Sequence, residues 1–170
     1  MTPEVIAASA TAVIALCALI FSLWQAKTVR DHNKISVKPH LTTWTSKSFE
    51  ARKFSIHVLN NGIGPALIKK YEIRVDNKPI AGEGTEPIEK ALSILFSGQP
   101  YSAQFAHMSS GFALGAKENC LVTSVQFQEG FNLSPEQVEH TFNRADLIIE
   151  YESFYGEKDG LDTRVERPNK

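Results

Sequence analysis

Cysteine is scarce in this chain, and neither sign of charge is in large excess. The 170 residues include two cysteines, and the formal net charge is −1 at pH 7. Cys17 lies inside a long apolar run, so we expect no intramolecular disulfide with Cys120. A near-neutral balance without a basic stripe argues against nucleic acid as a partner.

Sequence motifs for catalysis or cofactor binding are also lacking. The chain has no G-x-S-x-G, no phosphate loop and no dinucleotide fingerprint. Its histidines show no H-x-x-x-H or comparable metal-ligand spacing. They are His32, His40, His57, His107 and His140. We therefore expect no catalytic residues, no cofactor, no metal site and no enzymatic activity.

A long apolar run stands out near the start of the chain. The twenty residues from Val5 to Trp24 carry no charge, and as a helix they would reach about 30 Å, the thickness of a bilayer's hydrocarbon core. A cleavable signal peptide would need a basic segment before a shorter apolar stretch, and residues 1–4 contain no Lys or Arg. A chain of this size seldom surrounds so long an uncharged helix with its own core. The run predicts a transmembrane helix.

Basic residues follow the apolar run and set its expected orientation. Trp24 ends the run, where an amphipathic ring suits the headgroup layer. Lys27, Arg30, Lys34 and Lys38 come next, against a single Asp31. Because positive residues stay on the cytoplasmic side, we expect the N-terminus outside and the rest of the chain in the cytoplasm, with the basic residues touching anionic headgroups. The reverse orientation remains an alternative.

Small residues recur along one side of the predicted membrane helix. Ala7, Thr11 and Ala15 are spaced by four residues, and small residues at this spacing let two membrane helices approach closely. They are candidates for helix–helix contact in a homo-oligomer. Alanine is also simply common in membrane helices, so tethering alone is the competing interpretation.

We expect residues 1–34 to form the membrane helix with its basic flank, and residues 35–170 to form one soluble domain. Alternating apolar residues and turn signals predict that this domain is mainly β. The predicted strands are His40–Thr45, Phe54–Leu59, Ala66–Val75, Lys78–Ile80, Gly111–Leu114, Leu121–Phe127, Asp146–Phe154 and Leu161–Glu166.

Two short helices are expected in the connections between strands. Thr85 is placed to cap a helix over Glu86–Phe96, with Ile88, Leu92 and Leu95 on its apolar face. Ser134-Pro135-Glu136-Gln137 is a capping-box sequence, and that helix should end near Asn143. Short strands separated by turns predict an antiparallel immunoglobulin-like β-sandwich with one or two inserted helices. A small closed barrel is the alternative.

One loop and a few polar residues are candidates for a binding role in addition to a structural one. The segment Asn60-Asn61-Gly62-Ile63-Gly64-Pro65 is a candidate structural turn or binding loop, since its glycines permit positive φ and a small anion-binding nest. Glu150 and Glu152 share one face of a strand. Paired carboxylates can bind a metal, but alternating acidic residues are also common on exposed strands, where they discourage edge aggregation. Cys120 has no neighbouring signature of reactivity, so we interpret it as a small buried residue.

A resemblance to known proteins is found in two segments of the chain, from His32 to Leu41 and from Asn60 to Ala66. They are similar to a group of small bacterial proteins with one N-terminal membrane helix, a junction reading S-V-x-P-H-L and a turn reading N-N-G-x-G-P-A. The likeness covers the junction and the first two strands, and the rest of the chain in outline. The resemblance implies a bacterial inner-membrane location and carries no site residues.

Three kinds of function compete. The first is a membrane-tethered cytoplasmic interaction or scaffold module that holds an unidentified protein partner near the lipid bilayer. The second is a subunit or effector that acts through self-association of its membrane helix. The third, an enzyme, would need a cleft with convergent polar groups and is the least favoured.

Overall fold

The computed structural model describes residues 2–106 and 108–166. The chain divides into two compact units, one up to Val37 and one from Lys38 onward. The first unit is the helix α1 (Pro3–Ser36), which has 34 residues and no buried side chain. The second, called the β unit below, holds all the strands of the described chain.

The β unit alternates strands with short helices. Its strands are β1 (Leu41–Ser48), β2 (Lys53–Asn60), β3 (Ala66–Val75), β4 (Lys78–Pro79), β5 (Tyr101–Phe105), β6 (Ala113–Leu114), β7 (Asn119–Phe127), β8 (Ala145–Glu152) and β9 (Lys158–Asp162). Its helices are α2 (Glu86–Leu95), α3 (Pro135–Phe142) and α4 (Thr163–Glu166).

The described strands form two antiparallel sheets with free edges and not one closed barrel. The first sheet has the order β1-β2-β7-β5, and the second has the order β4-β3-β8-β9, with β6 pairing beside β3. β1 and β2 form a hairpin in which Leu41 lies opposite Asn60. β3 and β8 pair over almost their whole length, with a bulge between Ile68 and Lys70.

One hydrophobic core joins the two sheets. Val58 and Val125 of the first sheet and Ile68 and Ile149 of the second are all fully buried and belong to the same cluster. The hydroxyl of Tyr151, on β8, accepts a hydrogen bond from the Leu41 N–H of β1 at 3.3 Å. Each fully buried aliphatic side chain stabilises the fold by about 1.5–3 kcal/mol relative to exposure.

Helix α3 begins as its sequence predicts. The Ser134 hydroxyl accepts a hydrogen bond from the Gln137 N–H, and the Gln137 side chain accepts one from the Ser134 N–H, so the capping box is confirmed. Its buried Phe142 stacks on Phe54 of β2 with ring centroids 3.9 Å apart. That contact fixes α3 against the first sheet.

Helix α2 buries its predicted face but lacks its predicted cap. Ile88, Leu92 and Leu95 are buried as expected. Thr85 stands at the N-cap position in a helical conformation without a capping hydrogen bond, and its hydroxyl instead donates to the Glu89 carboxylate at 3.2 Å. The helix is held by its apolar face, which contributes more than a cap does.

The described strands depart from the predicted set. β5 was not expected, although Tyr101, Ala103 and Phe105 alternate with more exposed residues and pair with β7. Residues 163–166 form the turn of helix α4 and do not continue the last strand. The two strands that flank the turn at residues 115–118 belong to different sheets, because β6 pairs with β3.

Candidate functional site

From Val5 to Trp24, the side chains of α1 present an apolar surface on every side of the helix. Large exposed residues run along it, among them Ile14, Leu19, Phe21, Leu23 and Trp24, each more than half exposed. In water such a surface would cost a large hydration free energy. The described helix is long and apolar enough to span a membrane.

Hydroxyl groups within α1 are satisfied by the helix itself. The Thr11 hydroxyl donates to the Ala7 carbonyl at 2.9 Å, and the Ser22 hydroxyl donates to the Ala18 carbonyl at 2.8 Å. These bonds leave no hydroxyl proton that must seek a second helix. Ala7, Thr11 and Ala15 do lie on one side of α1, but the Thr11 hydroxyl is occupied locally.

The basic flank is divided between the two units. Lys27, Arg30 and Lys34 lie in the last turns of α1, on the side that also carries Trp24, because they are three or four residues apart. Lys38 begins the β unit, where its ammonium lies 3.2 Å from the Asp159 carboxylate. That hydrogen bond and the opposite charge raise the pKa of Lys38.

Asn60, the last residue of β2, is the hydrogen-bonding centre of the loop that follows it. Its side-chain oxygen accepts from the His40 N–H at 3.1 Å and the Gly62 N–H at 3.0 Å. Its side-chain nitrogen donates to the carbonyls of Gly64 at 2.8 Å, Leu114 at 3.1 Å and Gly115 at 3.0 Å. Asn60 is fully buried, so one amide joins the start of β1, the 61–65 loop and β6.

Gly62 is required by close packing and not by positive φ. A Cβ atom on Gly62 would lie 2.5 Å from both the His40 nitrogen and the Lys38 oxygen. The described glycines with positive φ are Gly84, Gly98, Gly111, Gly130 and Gly156. Gly62 and Gly64 are therefore outside the left-handed region, and the loop does not use the positive φ that its glycines permit.

The outer part of the loop is open to solvent. The Asn61 side chain donates to the Thr42 hydroxyl at 2.8 Å, and the Asn61 carbonyl accepts from the Lys117 ammonium at 2.6 Å. Ile63 is 70% exposed, and Pro65 leads into β3. The buried amide groups of the loop are already hydrogen-bonded within the β unit. The exposed Ile63 side chain is therefore what the loop presents to a partner.

In the part of the chain that the structure describes, the side chains that commonly bind metals are not clustered. Within the described ranges, no cluster of three or more His, Cys, Asp or Glu side chains could hold a metal ion. His57 is half-buried, with Nδ1 3.1 Å from the Asn119 side-chain oxygen. His107 lies outside the described residues. Nothing in this part of the chain converges on a metal.

Glu150 and Glu152 do not act together as a carboxylate pair. Lys70 lies 3.6 Å from Glu150, and Lys69 lies 2.6 Å from Glu152. Both contacts cross from β8 to β3. The two carboxylates therefore form cross-strand ion pairs on a sheet surface.

Cys120 is half-buried in the β unit. Burial, together with the nearby Glu118 carboxylate, raises the pKa of the Cys120 thiol. A thiol that holds its proton more tightly is a weaker nucleophile at neutral pH. This agrees with the interpretation of Cys120 as a packing residue.

A small cavity of about 110 Å³ lies between the two sheets and α2. Ile73, Ile88 and Leu92 line it, with Thr123 and Asp146 among its polar lining. Among the described residues, the Thr123 hydroxyl has no hydrogen-bond partner. Pockets for organic ligands are about 300–1,000 Å³, so this space suits ordered water better than a substrate.

Both units fall within a single family match. The family described as "Domain of unknown function (DUF8453)" matches residues 5–163. The chain belongs to this family. No curated protein matches it. The match covers the apolar run of α1 and the β unit together.

Proposed function

We propose that this protein is a membrane-tethered interaction module, with α1 spanning the bacterial inner membrane and the β unit in the cytoplasm. The observation that carries the proposal is the uncharged, exposed surface of α1 from Val5 to Trp24, where no side chain is buried. A bilayer removes such a surface from water on all sides. Local bonding of the helix hydroxyls supports the same interpretation.

The orientation follows from the charged flank of α1. Lys27, Arg30 and Lys34 stand at the C-terminal end, and Glu4 is the acidic residue of the first turn. A positive flank stays on the cytoplasmic side. Headgroup contact by Trp24 and these three residues is part of the proposal, while Lys38 has a structural partner in Asp159.

The strand order supports an immunoglobulin-like sandwich for the β unit. Immunoglobulin domains have strands A-B-E-D in one sheet and C-F-G in the other, with C′ added beside C in variable types. Naming the strands here in chain order, and leaving out the short β6, gives A-B-E-D for β1-β2-β7-β5. The second sheet becomes C′-C-F-G for β4-β3-β8-β9.

The surface of the β unit suits a protein partner. Trp44 is 60% exposed, Phe49 60% and Phe154 72%. Aromatic side chains are enriched at protein interfaces and at binding hot spots. The described part of the chain combines these aromatics with ion-paired carboxylates and no convergent catalytic group, so binding is favoured over an enzymatic role.

Self-association through α1 is the second candidate function. The placement of Ala7, Thr11 and Ala15 on one side of the helix favours it. The local bond from the Thr11 hydroxyl to Ala7 weakens it, because an interhelical hydrogen bond would have to replace one already made.

Topology is tested with C-terminal reporter fusions in a bacterial host. A fluorescent-protein fusion should sediment with membranes, resist carbonate extraction and fluoresce, whereas an alkaline phosphatase fusion should be inactive. Phosphatase activity without fluorescence would reverse the proposed orientation. Release of the protein by carbonate would remove the membrane helix from the proposal.

The interaction role is tested by photo-cross-linking in living cells. A photoreactive amino acid at Trp44 or Phe154 should give a discrete adduct with another protein, and the same group at the exposed Lys78 should not. Adducts between two copies of this chain alone would favour the second candidate. Absence of adducts from both of these positions and from Phe49 would contradict a role in protein binding.

A further inference from the structure

A second concavity lies at the tip of the β1–β2 hairpin, separated from the cavity between the sheets by the stacked rings of Phe54 and Phe142. This groove has a volume of about 280 Å³. Its apolar lining is contributed by sheet residues Phe54 and Phe127, by the β7–α3 connection and by α3. The remaining lining residues of the groove are Lys47, Ser48, Phe49, Arg52, Lys53, Phe131, Leu133, Pro135 and Val138.

The floor of the groove is aromatic. The rings of Phe127 and Phe131 stack with centroids 3.9 Å apart and planes at 22°. Phe54 is held from below by its stacking on Phe142. Phe54 and Phe127 are buried, whereas Phe49 on the hairpin turn is 60% exposed. The groove therefore offers a preformed apolar slot with one accessible aromatic at its lip.

The rim of the groove is positively charged. Of the described residues that line it, three are basic and none is acidic. Lys47 is paired with Glu139 of α3 at 2.8 Å. The side chains of Arg52 and Lys53 have no ion pair within the described part of the chain, and Glu50 of the same turn does not line the groove. Two cations thus face solvent beside an apolar slot.

We propose that this groove binds an acidic peptide segment of a partner protein, with one large apolar side chain in the slot and flanking carboxylates on Arg52 and Lys53. This assignment rests on the proposed function and names the class of partner that the interaction module takes. Apolar anchors flanked by charges complementary to the rim are a common way to recognise peptides.

The charge pattern selects this occupant over other anions. A typical nucleic-acid interface makes about six to ten phosphate contacts, and three basic residues are too few for that. Glu139 places negative charge at the Lys47 end of the rim, so negative charge on a ligand is favoured mainly at Arg52 and Lys53. That asymmetry suits a peptide with a few carboxylates better than a uniformly anionic bilayer surface.

The test uses the full chain in nanodiscs of uncharged phosphatidylcholine. The probe is a fluorescein-labelled peptide with a central Phe-Leu pair flanked on each side by three glutamates, and binding is read by fluorescence anisotropy. We expect saturable binding that weakens as salt is raised from 50 to 300 mM. Peptides with glutamines for glutamates, or with two serines for the Phe-Leu pair, should bind at least about tenfold more weakly.

Matched variants locate the binding. The double variant Arg52→Gln/Lys53→Gln should weaken binding at least about tenfold, and Phe49→Ser should weaken it by a similar factor. Lys78→Gln/Lys158→Gln removes the same charge from exposed positions outside the groove and should leave binding unchanged. Arg52 has a φ of +48°, and glutamine keeps the same backbone demand. Circular dichroism and the melting temperature verify that each variant is folded.

The inference is overturned if the wild-type chain does not bind the acidic Phe-Leu peptide, or if the control double variant loses as much affinity as the groove variant. It is also overturned if the groove variants lose binding to phosphatidylglycerol vesicles while the peptide never binds, since that would assign the groove to lipid. Photo-adducts from Trp44 or Phe154 without peptide binding would remove the groove assignment and leave the proposed function standing.

Discussion

At the scale of single residues, the best-defined feature of the β unit is the buried amide of Asn60. It satisfies backbone groups from three segments that are distant in sequence. Buried backbone polar groups without partners are costly, so one side chain that serves several of them has a large effect. The same loop needs Gly62, whose α-carbon lies against the backbone of residues 38–40. Both residues act on the position of β1.

Asn60→Ala should lower the free energy of unfolding of the β unit by about 3 kcal/mol, because several buried backbone groups lose their partner. Asn61→Ala removes one exposed hydrogen bond to Thr42 and should cost about 0.5 kcal/mol. The measurement is chemical denaturation of the full chain in nanodiscs, followed by Trp44 fluorescence in a Trp24→Phe background. Equal losses for the two variants would contradict the role assigned to Asn60.

Gly62→Ala should cost about 1–3 kcal/mol, since the added methyl group meets main-chain atoms at 2.5 Å and the backbone must shift. The matched control is Gly160→Ala on β9, where the added Cβ would lie 3.5 Å from the Ile149 oxygen and the change should stay within about 0.5 kcal/mol. Thermal unfolding of the same nanodisc samples compares the two. If the Gly62→Ala variant has the melting temperature of the wild type, the interpretation that Gly62 is required by close packing is wrong.

At the scale of elements, α1 and α3 are held by different forces. Helix α3 is an eight-residue helix with a capping box and two buried side chains, Val138 and Phe142. Helix α1 has 34 residues and buries none of them. An isolated helix of eight residues is marginal in water, so α3 depends on the sheet beneath it. In the proposed function, the lipid bilayer surrounds α1, and a second copy of the helix is the competing proposal.

Replacing Thr11 and Ala15 with leucine separates those two surroundings. If α1 only tethers the β unit, the pair should leave insertion, and any weak background of dimer cross-links in native membranes, unchanged. Leucine is well tolerated in a bilayer, while it would push two closely packed helices apart. We expect the tethering result, because the Thr11 hydroxyl is bonded to its own helix. Strong dimer cross-linking in wild type that the leucine pair abolishes would establish self-association instead.

At the scale of the whole molecule, short-range ion pairs on the surface of the second sheet make the β unit sensitive to pH. The Glu72 carboxylate accepts hydrogen bonds from Lys70 at 3.0 Å and from Arg74, and these contacts lower the pKa of Glu72. A hydrogen bond from Arg164 likewise lowers the pKa of Asp162, against partial burial. Both groups lie on the second sheet, so their protonation acts on one face of the fold.

These lowered pKa values predict loss of stability in acid. A carboxyl group whose pKa is lower when folded adds stability that is complete above its unfolded pKa, about 4.5 for Glu. That stability is lost as the pH falls through the folded pKa. The melting temperature of the full chain in nanodiscs should therefore decrease as the pH is lowered below about 4.5. The Glu72→Gln variant should show a smaller decrease. Glu129→Gln, at an exposed position, is the control and should leave the pH dependence as in wild type.

Much of the local structure could be predicted from the sequence because its causes lie within a few residues. The apolar run from Val5 to Trp24, the Ser134–Gln137 capping box and the extent of β3 all depend on neighbouring side chains. The short β5 escaped prediction because Ser102, Ala103 and Gln104 have weak strand propensity. It is a strand because β7 pairs with it.

The sequence by itself determined that this chain has one long apolar helix followed by a β-rich unit, because periodicity and composition act locally. Only the tertiary structure decided which strands pair, that Asn60 reaches carbonyls more than fifty residues away, and that Gly62 packs on the backbone before β1. It also brought the hairpin, β7 and α3 together around one groove. Those contacts join segments far apart in the chain, so no local pattern encodes them.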